Sequence, residues 1–147
     1  RGLVGSEMCI RDRRKMARYI LTFASLNGFL VVALGAFGAH ALETIADERA
    51  MGVFETGVQY HLFHTLALFG NGLLAGQNPA QKLFWIPASL FAAGIVLFAG
   101  SLYLLGATGL SWLGAITPIG GLGFLGGWAS LAWLCLSSNM QQGESPQ

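Results

Sequence analysis

A chain of 147 residues that is 54% hydrophobic and only 10% charged, with a formal net charge of +1, carries more apolar surface than a water-soluble globule can bury. Ordinary soluble domains are about 25% charged. The near-neutral balance leaves no basic footprint for nucleic acid, and the two cysteines, Cys9 and Cys135, form no disulfide framework, CxxC redox pair or zinc motif.

The charges gather up to Arg18, in Glu43 to Glu55, at Lys82 and at Glu144. Between them lie apolar stretches long enough for a bilayer core, which takes about 20 helical residues. Residues 1–15 contain Gly5-Ser6-Glu7-Met8-Cys9-Ile10-Arg11-Asp12-Arg13-Arg14, which reads as a translated sequencing adaptor. On that reading the leader is non-native and the natural chain begins at Met16; the plainer alternative is a disordered basic arm. Cys135, in the last apolar run, is then a packing residue.

Residues 16–138 form one four-span domain. The first helix is predicted at about 18–41, with Asn27 in its inner third and small residues Ala24, Gly28, Gly35 and Ala39 spaced for close helix approach. The second is predicted at 47–76. Thr44 to Asp47 reads as a capping box, the first turns are amphipathic, and Thr56, Tyr60 and His64 share one face with Asn71 two turns on. The third is predicted at 79–105, opened by Asn78-Pro79 and kinked at Pro87. The fourth covers about 112–137, with Thr117-Pro118 as a cap or a kink, and its glycines serve helix packing rather than phosphate binding. Residues 139–147 are a polar, mobile tail.

The fold class is therefore all-α: an integral membrane four-helix bundle. Arg18 and Lys82 flank the same side while the first loop is net acidic, so both termini are expected in the cytoplasm. That topology collects His40, Glu55, Gln59, Tyr60, His61, His64, Ser101, Tyr103 and Thr117 toward the outer side. Asn27 and Asn71 fall on the inner side, where an interhelical hydrogen bond between them is expected. Ionisable groups inside spans are costly unless paired, so the histidines ask for a reason.

Four motifs occur in order: Gly35-Ala36-Phe37-Gly38-Ala39-His40; Glu55-Thr56-Gly57-Val58-Gln59-Tyr60-His61-Leu62-Phe63-His64; Gly100-Ser101-Leu102-Tyr103; and Ile116-Thr117-Pro118-Ile119-Gly120-Gly121. Through them the chain, from Met16 to about Leu136, resembles the YgdD-like family, also called domain of unknown function 423, with transmembrane protein 256-like relatives in animals. The resemblance implies a small multi-pass protein of the bacterial cytoplasmic membrane, mitochondrial in animals. It brings no assigned activity and no catalytic residues.

The favoured reading is non-enzymatic: an accessory protein that binds the lipid bilayer, other membrane proteins or further copies of itself, with no cofactor and no nucleic-acid partner. Under it the polar set is hydrogen-bond glue. One alternative is a metal or haem site from His40, His61 and His64, since imidazole suits zinc, copper and iron. Another is proton or small-solute transport through an oligomer, with His64 titrating and Glu55 at the entrance. The weakest is a hydrolase triad of Ser101, His64 and Glu43 or Glu55, because no GxSxG surrounds Ser101.

Overall fold

The computed structural model describes residues 2–78 and 81–142, and all regular structure among them is helical. The elements are α1 (Gly2–His40), α2 (Glu48–Gln77), α3 (Trp85–Gly94), α4 (Gly100–Thr108) and α5 (Thr117–Gln142). A π turn, Ile95–Ala99, joins α3 to α4 without a break, so these pieces form one long rod.

The first helix starts at Gly2, well before the expected start near Arg18. Met8, Arg11, Arg13, Arg14, Lys15 and Ala17 are good helix formers, and no proline interrupts them. The basic segment therefore continues the helix instead of forming a disordered arm. At the far end a 3-10 turn, Leu42–Thr44, leads into α2.

The cap of α2 is Asp47 rather than Thr44. The Asp47 backbone is extended and its carboxylate accepts the Ala50 N–H at 2.7 Å, placing negative charge where the helix dipole favours it. The Thr44 hydroxyl instead donates back to the Ala41 carbonyl at 2.8 Å.

Pro87 does not kink the third rod. A 3-10 turn, Gln81–Phe84, precedes α3, so Pro87 falls in the first helical turn, where the N–H it lacks would have had no intrahelical partner. The irregularity lies further on, at Ile95–Ala99, where the Gly100 N–H reaches the Ile95 carbonyl five residues back. The rod runs on to Thr108 and stops at Gly109, whose φ of 70° closes the helix in the left-handed conformation. The expected opening residue Pro79 lies outside the described residues.

A 3-10 turn, Ser111–Ala115, turns the chain into α5. Pro118 occupies the first turn of α5, in keeping with a helix start rather than a kink. Helix α5 continues to Gln142, into the stretch read as a polar tail; residues 143–147 lie outside the described residues.

Helix α2 runs through the middle of the molecule, against α1 on one side and the α3–α4 rod on the other, while α5 packs on α3 and the π turn. The core draws on every rod: Ile20, Ala24, Leu68, Ala75, Phe84, Phe91, Ile95, Phe124 and Leu134 pack as one cluster. Against α1, Gly72 receives Leu21 and Gly38 receives Phe54. Between α3 and α5 the fit is reciprocal: Phe124 lies over Gly94, Phe91 over Gly127, and the Phe98 backbone against Gly120.

Three stretches are long and apolar enough to cross a membrane: Lys15–Thr44, Lys82–Thr108 and Ser111–Ser137. Helix α2 is not among them, and its buried residues explain why. It turns His61, His64, Thr65 and Asn71 inward, while Leu62, Phe63, Leu66, Phe69, Leu73 and Leu74 are exposed.

Candidate functional site

Of the nine residues expected on the outer side, the structure brings His61 and Tyr103 together and adds Asn27, which had been assigned to the inner pair. His61 is 1% exposed, with α1 on one side and α4 on the other. Its Nε2 lies 3.1 Å from Asn27 Oδ1 and its Nδ1 2.9 Å from the Tyr103 hydroxyl.

The direction of these bonds follows from the far end. Asn27 Nδ2 donates to the Phe23 carbonyl at 2.8 Å, which leaves Oδ1 as the acceptor for His61 Nε2–H. A neutral imidazole then offers a lone pair at Nδ1, which accepts the Tyr103 O–H. Tyr103, α2 and α1 are thereby joined by a single directed string of hydrogen bonds, and both ring nitrogens of His61 are occupied. Gly57 makes room for it: a Cβ there would lie 3.1 Å from the Tyr103 ring.

Asn27 and Asn71 are not bonded to one another. Asn71, fully buried, donates Nδ2 to the Phe84 carbonyl at 2.9 Å, beside the turn that carries Pro87. Asn71 Oδ1 and Thr65 Oγ1 are buried without a partner among the described residues.

A second polar contact, Ser101 to Thr117 at 2.8 Å, ties α4 to the start of α5. Each hydroxyl also reaches a carbonyl of its own segment, Ser101 Oγ that of Phe98 in the π turn at 2.9 Å and Thr117 Oγ1 that of Leu113 at 3.4 Å, so either can donate to the other. With its hydroxyl engaged there, Ser101 is not bonded to His64, and the triad drawn from the sequence is not assembled.

His64 belongs to an aromatic box. Its ring stacks on Phe124 with centroids 3.4 Å apart and an interplanar angle of 7°, and Tyr60, Phe91 and Trp128 complete the surround. Its Nδ1–H donates to the Tyr60 carbonyl at 2.8 Å. Tyr60 itself, expected inside with its hydroxyl bonded, is exposed and lays its ring against Phe98 with centroids 4.5 Å apart. Gln59 and Glu55 are exposed, and Thr56 bonds back to the Gly52 carbonyl at 2.8 Å.

His40 is exposed at the end of α1, whereas His61 and His64 are buried within α2. No group of three or more His, Cys, Asp or Glu side chains among the described residues is placed to hold a metal ion. The three-histidine site is therefore not formed. Spacing along single helices could not reveal the string through Asn27 or the box around His64, because both are set by contacts across helices. One signal was present: glycines of α5 facing phenylalanines of α3.

Comparison with known proteins follows the same lines. The profile of the family described as "Protein of unknown function (DUF423)" matches residues 34–121, a stretch containing His61, His64, Ser101, Tyr103 and Thr117. The chain is 44% identical over 114 residues to the UPF0382 inner membrane protein YgdD of Escherichia coli K12, covering 77% of this chain and 86% of that protein. It is 44% identical over 111 residues to the UPF0382 membrane protein YwdK of Bacillus subtilis, covering 76% and 90%. A UPF0382 membrane protein of Haemophilus influenzae is 42% identical over 118 residues, covering 80% and 94%. No solved structure matches the chain. Carrying the family's profile through both buried histidines, and matching these relatives over most of their length, the chain belongs to the DUF423 family.

Proposed function

We propose that this is a four-span protein of the bacterial cytoplasmic membrane, with both termini on the cytoplasmic side, acting without catalysis as an accessory that binds partner membrane proteins. The observation that carries the reading is the state of the polar residues. His61, Tyr103 and Asn27 use their hydrogen-bonding groups on one another, as do Ser101 and Thr117, so the motif residues join helices and leave an apolar exterior for contact.

The spanning role of α2 is supported by its lopsided faces, polar inward and apolar outward. Counting about 1.5 Å per residue from exposed Glu55, after which α2 carries no Asp, Glu, Lys or Arg, His61 lies about 9 Å further along, within reach of a hydrocarbon core of about 30 Å. Four spans would put both ends on one side. Arg18 and Lys82, both exposed, support the cytoplasmic side for them, in keeping with the E. coli relative being named an inner membrane protein.

The test is purification from native membranes in a mild detergent, with mass spectrometry of what accompanies the protein. A stable partner whose complex shrinks or disassembles when the gene is deleted supports the reading. A protein that purifies alone, and whose deletion alters no membrane complex, overturns it.

A further inference from the structure

Beside the hydrogen-bond string lies a groove of about 390 Å³ lined by Gln59, Tyr60, Phe63 and His64. Unlike the hollow lined by Asp47, Arg49 and Ser111 and that lined by Gly35, Phe54 and Glu55, it has a buried histidine in its wall: His64 is 4% exposed. The ring's protonation is fixed by its neighbour, since Nδ1–H donates to the Tyr60 carbonyl. In the neutral ring Nε2 is then a bare acceptor, and it makes no hydrogen bond among the described residues. Phe124 holds the imidazole face to face, so the ring cannot turn to satisfy that nitrogen elsewhere.

The polar atoms wholly enclosed without a partner among the described residues are Thr65 Oγ1 and Asn71 Oδ1, so the unbonded Nε2 keeps open surface, and a groove of this volume falls in the range of small-molecule sites, about 300–1,000 Å³. The walls prescribe the occupant. Tyr60 and Phe63, on the same helix face, offer aromatic surfaces for a flat ring, Nε2 requires an O–H, and the apolar exterior implies entry from lipid.

We propose that this groove binds a lipid-soluble hydroquinone or related phenol, its ring against Tyr60 and Phe63 and its hydroxyl donating to His64 Nε2. The site discriminates by oxidation state. A quinone presents only carbonyl acceptors to an acceptor nitrogen, so the reduced form binds more tightly than the oxidised one. This is independent of the accessory role proposed above, which concerns macromolecular partners.

The experiment titrates the full chain in nanodiscs with a short-tailed isoprenoid hydroquinone under a reductant, and separately with its quinone, by calorimetry. The expected result is binding of the reduced form at least about tenfold tighter, with the preference abolished in His64→Phe, which keeps the stack on Phe124 and removes the acceptor. Phe63→Ala weakens both forms. In the unmutated protein, ¹⁵N NMR of His64 adds a measurement that does not depend on any variant folding: the hydroquinone moves the Nε2 resonance from a free toward a hydrogen-bonded position. Equal affinity for the two forms, no binding of either, a preference that survives in folded His64→Phe, or an unmoved Nε2 resonance each overturns the proposal.

Discussion

His61 shows what a single side chain contributes when lipid is the solvent. Each of its nitrogens meets a group from a different helix, at 2.9 Å and 3.1 Å, and interhelical hydrogen bonds in membranes average about 0.6 kcal/mol with a maximum near 1.7. Tyr103→Phe should therefore lower stability by about 0.6–1.7 kcal/mol. His61→Ala should cost about 2–4 kcal/mol, since it also leaves Asn27 and Tyr103 without their partner and opens a cavity. A double-mutant cycle on His61 and Tyr103, read by thermal unfolding in detergent, separates the pair: a coupling energy indistinguishable from zero would mean that the bond does not form. Asp47→Ala gives a milder control at an exposed cap, with an expected loss of about 1 kcal/mol. At this scale the sequence was partly legible. Periodicity places Tyr60 and His64 on one stripe, but the partner of His61 lies in another helix, and a count along α1 assigned Asn27 to the wrong neighbour. The inward face of a helix is visible in its own residues; the residue it meets is not.

Between elements, the packing of α5 on α3 rests on complementary spacing. On α3 and its π turn the order is Phe91, Gly94, Phe98; on α5, read backward, it is Gly127, Phe124, Gly120. The Phe91 and Phe124 rings each meet a glycine and the Phe98 backbone meets a third, and the pairs progress in opposite directions, as antiparallel helices require. A cross-helix comparison of glycine and phenylalanine positions reads this pairing from the chain, whereas scoring each span separately does not. The glycines are not equivalent. A Cβ at Gly120 would collide with the Phe98 backbone, which no rotamer relieves, whereas at Gly127 it would meet the side chain of buried Phe91 at 2.6 Å, which calls for repacking of a ring and not of the backbone. At Gly100 a Cβ meets nothing within 4 Å. Gly120→Ala should accordingly be the most damaging, in the range of about 1–3 kcal/mol or more, Gly127→Ala intermediate, and Gly100→Ala neutral or stabilising by about 0.5–1 kcal/mol through helix propensity. Melting temperatures of the three variants test the order; damage at Gly100 equal to that at Gly120 would refute it.

For the molecule as a whole, composition alone made the membrane legible, because lipid demands apolar exteriors over whole helices. The helical class follows from the same demand, since backbone groups in hydrocarbon must bond within their own segment. Irregular turns were harder to read, because Pro87 marks a helix break by local chemistry and its position in a first turn depends on where the preceding chain bends. The proposed four-span topology predicts that single cysteines introduced by Asp47→Cys and Lys82→Cys react with an impermeant maleimide from opposite faces, the first from outside. Leu125→Cys, exposed on α5, should resist that reagent and react with a lipid-dissolved one; labelling of Leu125→Cys by the aqueous reagent would place that face in water. The wide turn at Ile95–Ala99 acts on this architecture as a phase shifter. One residue more or fewer swings everything above it by about 100°, so the azimuth at which Ser101 and Tyr103 leave the rod is set by a single inserted position. Removing exposed Val96 would spare the greasy exterior and most of the length of the span, yet turn Ser101 into the direction of Gly100 and Tyr103 into that of buried Leu102, taking both hydroxyls away from Thr117 and His61.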